Sequence, residues 1–271
     1  MKKNKKLSGT GLMILAMVCG LGWAAGIFGD EDRQEQERME NFLRKARVTG
    51  VSKGQAAGRT APWIVNLENG RLKGQAIFKY VHRPRPAMIP DSYTYELAAY
   101  ELSKLLELEI IPPVVFRQLD GRRGSLQVGL TGIMTESQRR RKGLAPPDDE
   151  AFARALAEVV VFENLVYDQC LDEDDILINK TTWQVWRIDF SESFAPVPEL
   201  LSGCSLTRCS RELFERLSGL DPGLVTAKLR PYLSETEIEA LFKRKELILE
   251  AIKKLIEERG EEAVLFTRRK N

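Results

Sequence analysis

Histidine is almost absent from this 271-residue chain. His82 stands alone, with no cysteine or second histidine at ligand spacing, so a zinc centre has no ligand set to draw on. The G-x-S-x-G pattern is missing too, and Gly124-Ser125-Leu126 lies near a strand without the nucleophile elbow of a serine hydrolase. No internal repeat is found. Charge of one sign is also lacking: 41 Lys and Arg against 39 Asp and Glu leave +2, far from the basic surplus of a chain devoted to nucleic-acid phosphates. Nucleic acid is therefore not an expected partner. Only one uncharged stretch approaches the ~20 residues that cross a bilayer, which excludes a polytopic membrane protein. What the chain does have is core material. Its 43% hydrophobic residues, with 11 Phe, 6 Tyr and 4 Trp, exclude disorder as the dominant state. At roughly 150 residues per domain, the length allows two lobes or one large domain.

The uncharged stretch, residues 7–29, follows Lys2, Lys3, Lys5 and Lys6, has an apolar heart at 12–18 and carries small residues near 22–26. Those are the parts of a secretory signal peptide. An uncleaved anchor is the alternative, although six glycines weaken it as a spanning helix. Either way the remainder is exported, to the cell envelope or periplasm, and a membrane partner enters only through residues 7–29. Cys19 follows Val18, too large for a lipoprotein signal. That leaves Cys170, Cys204 and Cys209 in an oxidising compartment, and an odd number cannot all pair within one chain. Cys204 and Cys209 are near enough in sequence for a local bridge.

Residues 30–47 are polar, a linker or exposed helix. Residues 48–130 carry strand signals: two β-rich runs, 63–67 and 75–81, flank an Asn69-Gly70 turn, a strong hairpin signature. A helix is expected over 91–107 and another strand at 112–116. From 131 to 271 helices dominate, over 152–168, 208–219, 222–231 and 235–258, with a hairpin formed by 176–178 and 183–188. The basic run 139–142 and Pro146-Pro147 are expected to form an exposed loop near the lobe boundary. A strand-rich lobe followed by a helix-rich lobe is an α+β arrangement.

Lys79 sits in an apolar strand, where an ammonium is costly to bury without a partner. A strand lysine, a glutamate-bearing helix and a later Asp189 after the hydrophobic run 186–188 are the parts of a kinase site, in which the lysine holds phosphates and the late aspartate holds Mg²⁺. The run 96–102 (Glu-Leu-Ala-Ala-Tyr-Glu-Leu) followed by Pro112-Pro113-Val114 resembles the E-x-A-A-[YF]-x-L…P-P-V stretch of atypical kinases. These are the secreted Golgi casein kinase family, with phosphatidylinositol 3/4-kinase-like and HipA-like groups behind it, and bacterial proteins are similar over the same span. The resemblance covers about 48–266. It implies a two-lobed kinase-like fold, strand-rich N-lobe and helical C-lobe, with ATP and Mg or Mn as cofactors. It also implies a nucleotide loop around Gly50, Lys53 and Gly54, a phosphate lysine at Lys79 and its partner at Glu96. Helical periodicity alone points instead to Glu101, beside the Ala98/Leu102/Leu105 stripe, as the semi-buried acid.

The catalytic loop departs from the pattern. Related active kinases carry N-x-D-R-x-x-x-N after an F-x-x-L run, whereas residues 168–175 read Asp-Gln-Cys-Leu-Asp-Glu-Asp-Asp. Cys170 stands at the catalytic Asp position, Leu171 at the Arg, and Asp175 at the metal-binding Asn. A thiol is a poor base there, since its ordinary pKa is ~8.5 and neighbouring carboxylates raise it. Asp175 remains a competent oxygen ligand beside Asp189. Three functions follow: a nucleotide-binding pseudokinase; an active phosphotransferase using Asp168 or Asp172 as its base on a protein, lipid or sugar acceptor; or a structural or interaction protein on an inherited scaffold. The acidic turn 172–175 lacks the spacing and glycine of an EF-hand.

Overall fold

In this computed structural model residues 30–54, 61–87 and 90–268 are described; the export segment falls outside them. The first half contains α1 (Asp30–Lys45), β1 (Arg47–Ser52), β2 (Trp63–Asn69), β3 (Leu72–Lys79), the short β4 (His82–Arg83) and β5 (Asp91–Ser92), α2 (Tyr93–Leu105), β6 (Val114–Leu119) and β7 (Arg122–Val128). β1, β2, β3, β7 and β6 lie side by side, in that order, in one antiparallel sheet. The Asn69-Gly70 turn forms as expected, with Asn69 opposite Leu72 and Gly70 at φ 59°, a conformation glycine adopts without strain. One sheet face packs Trp63, Val65, Leu67, Ala76 and Phe78 against Phe42 and Leu43 of α1 and Ala46 just after it. Lys79, one residue beyond Phe78, therefore points to the other face.

The second half contains β8 (Ile133–Thr135), α3 (Glu136–Arg141), α4 (Asp149–Val166), β9 (Ile176–Asn179), β10 (Val185–Arg187), β11 (Cys209–Ser210), α5 (Arg211–Ser218), α6 (Pro222–Leu229), α7 (Glu235–Arg259), α8 (Glu261–Val264) and β12 (Leu265–Phe266). Their starts follow capping chemistry: Ser234 closes a capping box with Glu237 at α7, and Asp221 caps α6 ahead of Pro222. The basic run expected as a loop is instead the last turn of α3. Thr135 and Gln138 form a capping box there, and Glu136 takes the Arg139 and Arg140 guanidiniums at 2.6 and 2.8 Å. Cations at a helix C-terminus also suit its dipole.

Two apolar clusters result. The smaller joins the sheet to α1, and the larger joins α2, α4, α5, α6 and α7. α2 belongs to the larger cluster, and every residue from Tyr93 to Tyr100 on it is buried. Among the described residues no helix is long and apolar enough to cross a membrane.

Candidate functional site

Three elements deliver three side chains to one cleft. Lys79 ends β3, Glu96 lies in the first turn of α2, and Asp189 follows β10. The Lys79 Nζ donates to Glu96 Oε1 at 2.5 Å and to Asp189 Oδ1 at 2.8 Å, across 110 residues of sequence in the second case. Glu96 is 2% exposed while Asp189 is 42% exposed, so the pair is sealed on one side and open on the other. Asp189 takes φ 64°, which aspartate tolerates better than most residues, and Ser191 Oγ donates to its Oδ1 at 3.1 Å. Burial opposes charge on Lys79, yet Glu96 and Asp189 outweigh it and hold the ammonium above its ordinary value. Burial likewise opposes charge on Asp189, but the Lys79 ammonium brings its carboxyl down to about 2. Glu96 goes the other way, because burial outweighs its lysine.

The helical wheel misplaced the lysine's partner. α2 is buried on more than one side, against the sheet and against α6, so a single apolar stripe does not describe it. Glu101 pairs with Lys104 at 3.0 Å, one turn along its own helix, and does not reach Lys79. The residues expected to form the nucleotide loop lie in β1 and in the turn directly after it. Gly50 lies within β1, at a bulge paired with Asn66, and not in a loop. Lys53 binds Asp120 at 2.8 Å and stands 4.5 Å from the Trp63 ring centroid, on the sheet face opposite Lys79. Gly54 turns the chain at φ 68°, and the rest of that loop falls outside the described residues.

Beneath the cleft lies a cation with no local sequence signal of its own. Arg187, 1% exposed, donates to Glu163 Oε1 at 2.8 Å and to Asp168 Oδ2 at 2.8 Å, and stands 3.4 Å from Asp175 Oδ2. It also donates to the Ile188 carbonyl. Arg187 lies between Trp186 and Ile188, a run that looks like a plain buried strand. Only the clustering of acids at 163, 168 and 175 hinted that a buried cation was required. Asp168 is thus committed to a buried ion pair. Asp172 accepts the Asp174 N–H at 2.9 Å and shapes its own turn. Cys170 carries no free thiol: it is bridged to Cys204, with Cα atoms 5.6 Å apart. This fixes a pairing that the spacing left open, and among the described residues Cys209, buried in β11, is unpaired. Around the bridge, the Leu171 N–H donates to Glu163, while Asn164 donates to the Cys204 carbonyl and accepts from the Leu201 N–H.

Five carboxylates (Glu96, Glu163, Asp168, Asp175, Asp189) thus surround two cations, Lys79 and Arg187. The imbalance is visible in their titration. Burial lifts Glu163 and Asp175 to about 7 despite Arg187, with Asp189 adding to the rise of Asp175. Such a surplus of hard oxygen donors suits a divalent cation held by Asp175 and Asp189.

A pH dependence with an unusual sign follows. Groups whose folded pKa stands above the unfolded value hold protons that the unfolded chain has released. Stability from Glu163 and Asp175 is therefore greatest near pH 4–5 and falls as pH rises through about 7. Asp189, lowered to about 2, contributes above its ordinary 3.8 and is constant across this window. Without added metal, the melting temperature at pH 5.5 is expected to exceed that at pH 7.5 by roughly 2–6 °C. Asp175→Asn should shrink the difference; a melting temperature equal or lower at pH 5.5 would contradict the account.

Neither a family model nor a curated protein sequence matches the chain. Solved structures do. The structure of hydra Fam20 with sugar matches 86% of this chain and 93% of that chain at 16% identity, with a TM-score of 0.65. The Helicobacter pylori proinflammatory kinase CtkA is matched over 80% of this chain and 97% of that chain, at 10% identity and a TM-score of 0.46. The Fam20 likeness shows the fold expected from the sequence: α+β, two-lobed and kinase-like.

Proposed function

We propose that this protein is an exported, kinase-fold pseudokinase that binds a nucleoside triphosphate with a divalent cation and does not transfer its phosphate. The observation that carries the reading is a contrast inside one cleft. Lys79 is held ready between Glu96 and Asp189, while the position expected to supply the catalytic base is a disulfide sulfur. In this reading Lys79 displaces its contact with Asp189 to meet phosphate oxygens, and Glu96 keeps the ammonium in place. Asp175 and Asp189 would hold Mg²⁺ or Mn²⁺, whose charge offsets that of the phosphates. Of the two acids expected to remove a proton from an acceptor hydroxyl, Asp168 is bound to Arg187 and Asp172 accepts from its own turn. The active-phosphotransferase alternative therefore gains no support from the loop. Export rests on residues 1–29, and the Cys170–Cys204 bridge fits an oxidising compartment.

Thermal unfolding of the purified chain with ATP and MnCl₂ tests this. At a hundredfold excess over Kd, ligand stabilises the native state by about 2.7 kcal/mol, or roughly 5–10 °C here. Lys79→Met and Asp189→Asn are expected to abolish the shift, and Glu101→Gln to keep it. Radiolabelled γ-phosphate should stay on the nucleotide. Absence of any shift removes the nucleotide; Asp189-dependent labelling of a substrate removes the pseudokinase.

A further inference from the structure

Arg85, in the connection between β4 and β5, spends its guanidinium on backbone. Nη1 donates to the Ser193 carbonyl at 2.6 Å and Nη2 to the Glu192 carbonyl at 2.7 Å, two adjacent acceptors taken by one planar fork. The fork is itself held in place. It lies over the Tyr95 ring, 5.4 Å from the centroid, and 3.5 Å from Glu237 of α7, while the Tyr95 hydroxyl donates to Glu237 at 2.7 Å and accepts from the Arg85 N–H at 3.1 Å.

The carbonyls it grips belong to the stretch that begins at Asp189. Asp189 and Phe194 both sit in the left-handed region, at φ 64° and 60°, a conformation that a bulky phenylalanine keeps only where its surroundings impose it. Between them the Ser92 N–H donates to the Ser191 carbonyl at 2.8 Å, and the Phe194 N–H closes the stretch on the Val166 carbonyl at 2.6 Å. Just beyond, Arg244 of α7 takes the Ala195 and Val197 carbonyls at 2.9 and 2.5 Å. Arg85 holds the middle.

We propose that Arg85 is a positioning residue for the metal: by fixing carbonyls 192 and 193 it keeps the Asp189 carboxylate directed into the cleft. The inference rests on the nucleotide and metal reading given above. In that reading Lys79 gives up its contact with Asp189 when phosphate enters, so the lysine does not hold the carboxylate at the moment the cation needs it. Ser191, its other partner, moves with the same stretch of backbone. The backbone must then be held from outside, and Arg85 does so from the connection that also joins Lys79 to Glu96.

Mn²⁺ titrated into the full chain, with free Mn²⁺ counted by electron paramagnetic resonance, tests this beside urea denaturation. Arg85→Met is expected to weaken Mn²⁺ binding about tenfold or more, the effect typical of groups that orient a metal ligand. Arg85→Lys keeps a charge beside Glu237 but offers one point to two carbonyls, so it should be more stable than the methionine variant and still lose about fivefold in affinity. Arg117→Met is the matched control. It cuts another two-carbonyl tie, from β6 to Leu43 and Ala46, and is expected to lower stability with Mn²⁺ affinity unchanged. If Arg85→Met does not fold, as judged by its circular dichroism, Arg85→Lys decides. Folded Arg85 variants that bind Mn²⁺ as the wild type does overturn this inference alone, as does an Arg117→Met that loses as much affinity as they do. A wild-type protein that binds no Mn²⁺ overturns the metal reading and this inference with it.

Discussion

Replacing Arg187 with methionine is expected to destabilise the fold by about 3–5 kcal/mol, the usual consequence of removing one partner from a buried ion pair. The reason is arithmetic in charge. Without the guanidinium, Glu163, Asp168 and Asp175 share a buried volume with no cation of their own, and burial already shifts all three toward protonation with Arg187 in place. Arg187→Lys should recover only part of the loss, since an ammonium cannot match the planar fork that reaches Glu163 through Nε and Asp168 through Nη2. Chemical denaturation of the three proteins checks this. A drop below ~1 kcal/mol for the methionine variant would mean that the cluster is not held by Arg187. Adding Glu163→Gln to Arg187→Met is expected to recover stability, because the double change removes a stranded charge.

Breaking the Cys170–Cys204 bridge has a comparable expected effect. It closes a segment of 34 residues, and the loss of chain entropy in the unfolded state from such a closure is worth about 3–4 kcal/mol. The double variant Cys170→Ser/Cys204→Ser is expected to unfold at lower denaturant by that amount, and reductant is expected to bring the wild-type protein to the same midpoint. A wild-type midpoint unmoved by reductant would contradict the bridge. The bridge also bears on function. Placing Asp at position 170 restores the expected base residue but removes the tie that holds the loop to residues 201–204. Cys170→Asp alone is therefore expected to give a less stable protein with no phosphotransfer, because Arg187 still holds Asp168 and faces Asp175.

The hairpin, the long apolar helix and the C-terminal helices were legible because each carries its own local signal: Asn69-Gly70 for the turn, Phe152 to Val166 for α4, Ser234 and Glu237 for the start of α7. The convergence of Lys79 and Asp189 was readable from the order of kinase-like parts along the chain, and Glu96 from the resemblance of 96–102 to atypical kinases, not from periodicity. The wheel chose Glu101 because it presumes one buried face, and α2 has more than one. Arg187 was passed over since a guanidinium inside a hydrophobic run carries no local mark of its partners, which are 19 and 24 residues away for Asp168 and Glu163. The cysteine pairing stayed open for the same reason: proximity in sequence allowed Cys204 with Cys209 but said nothing of residue 170, which the fold carries to 204. α3 was missed because six residues ending in three arginines look like solvent-exposed coil until Glu136 is seen to gather two of them.

α2 lies between the two halves: its residues belong to the large helical cluster, and it also packs on β6 and β7 of the sheet. Glu96 therefore sits on the element that touches both halves, while Lys79 is delivered by the sheet and Asp189 by the chain after β10. One ammonium thus ties together the sheet, the helix packed on it and the helical half, as a single pin passes through three plates.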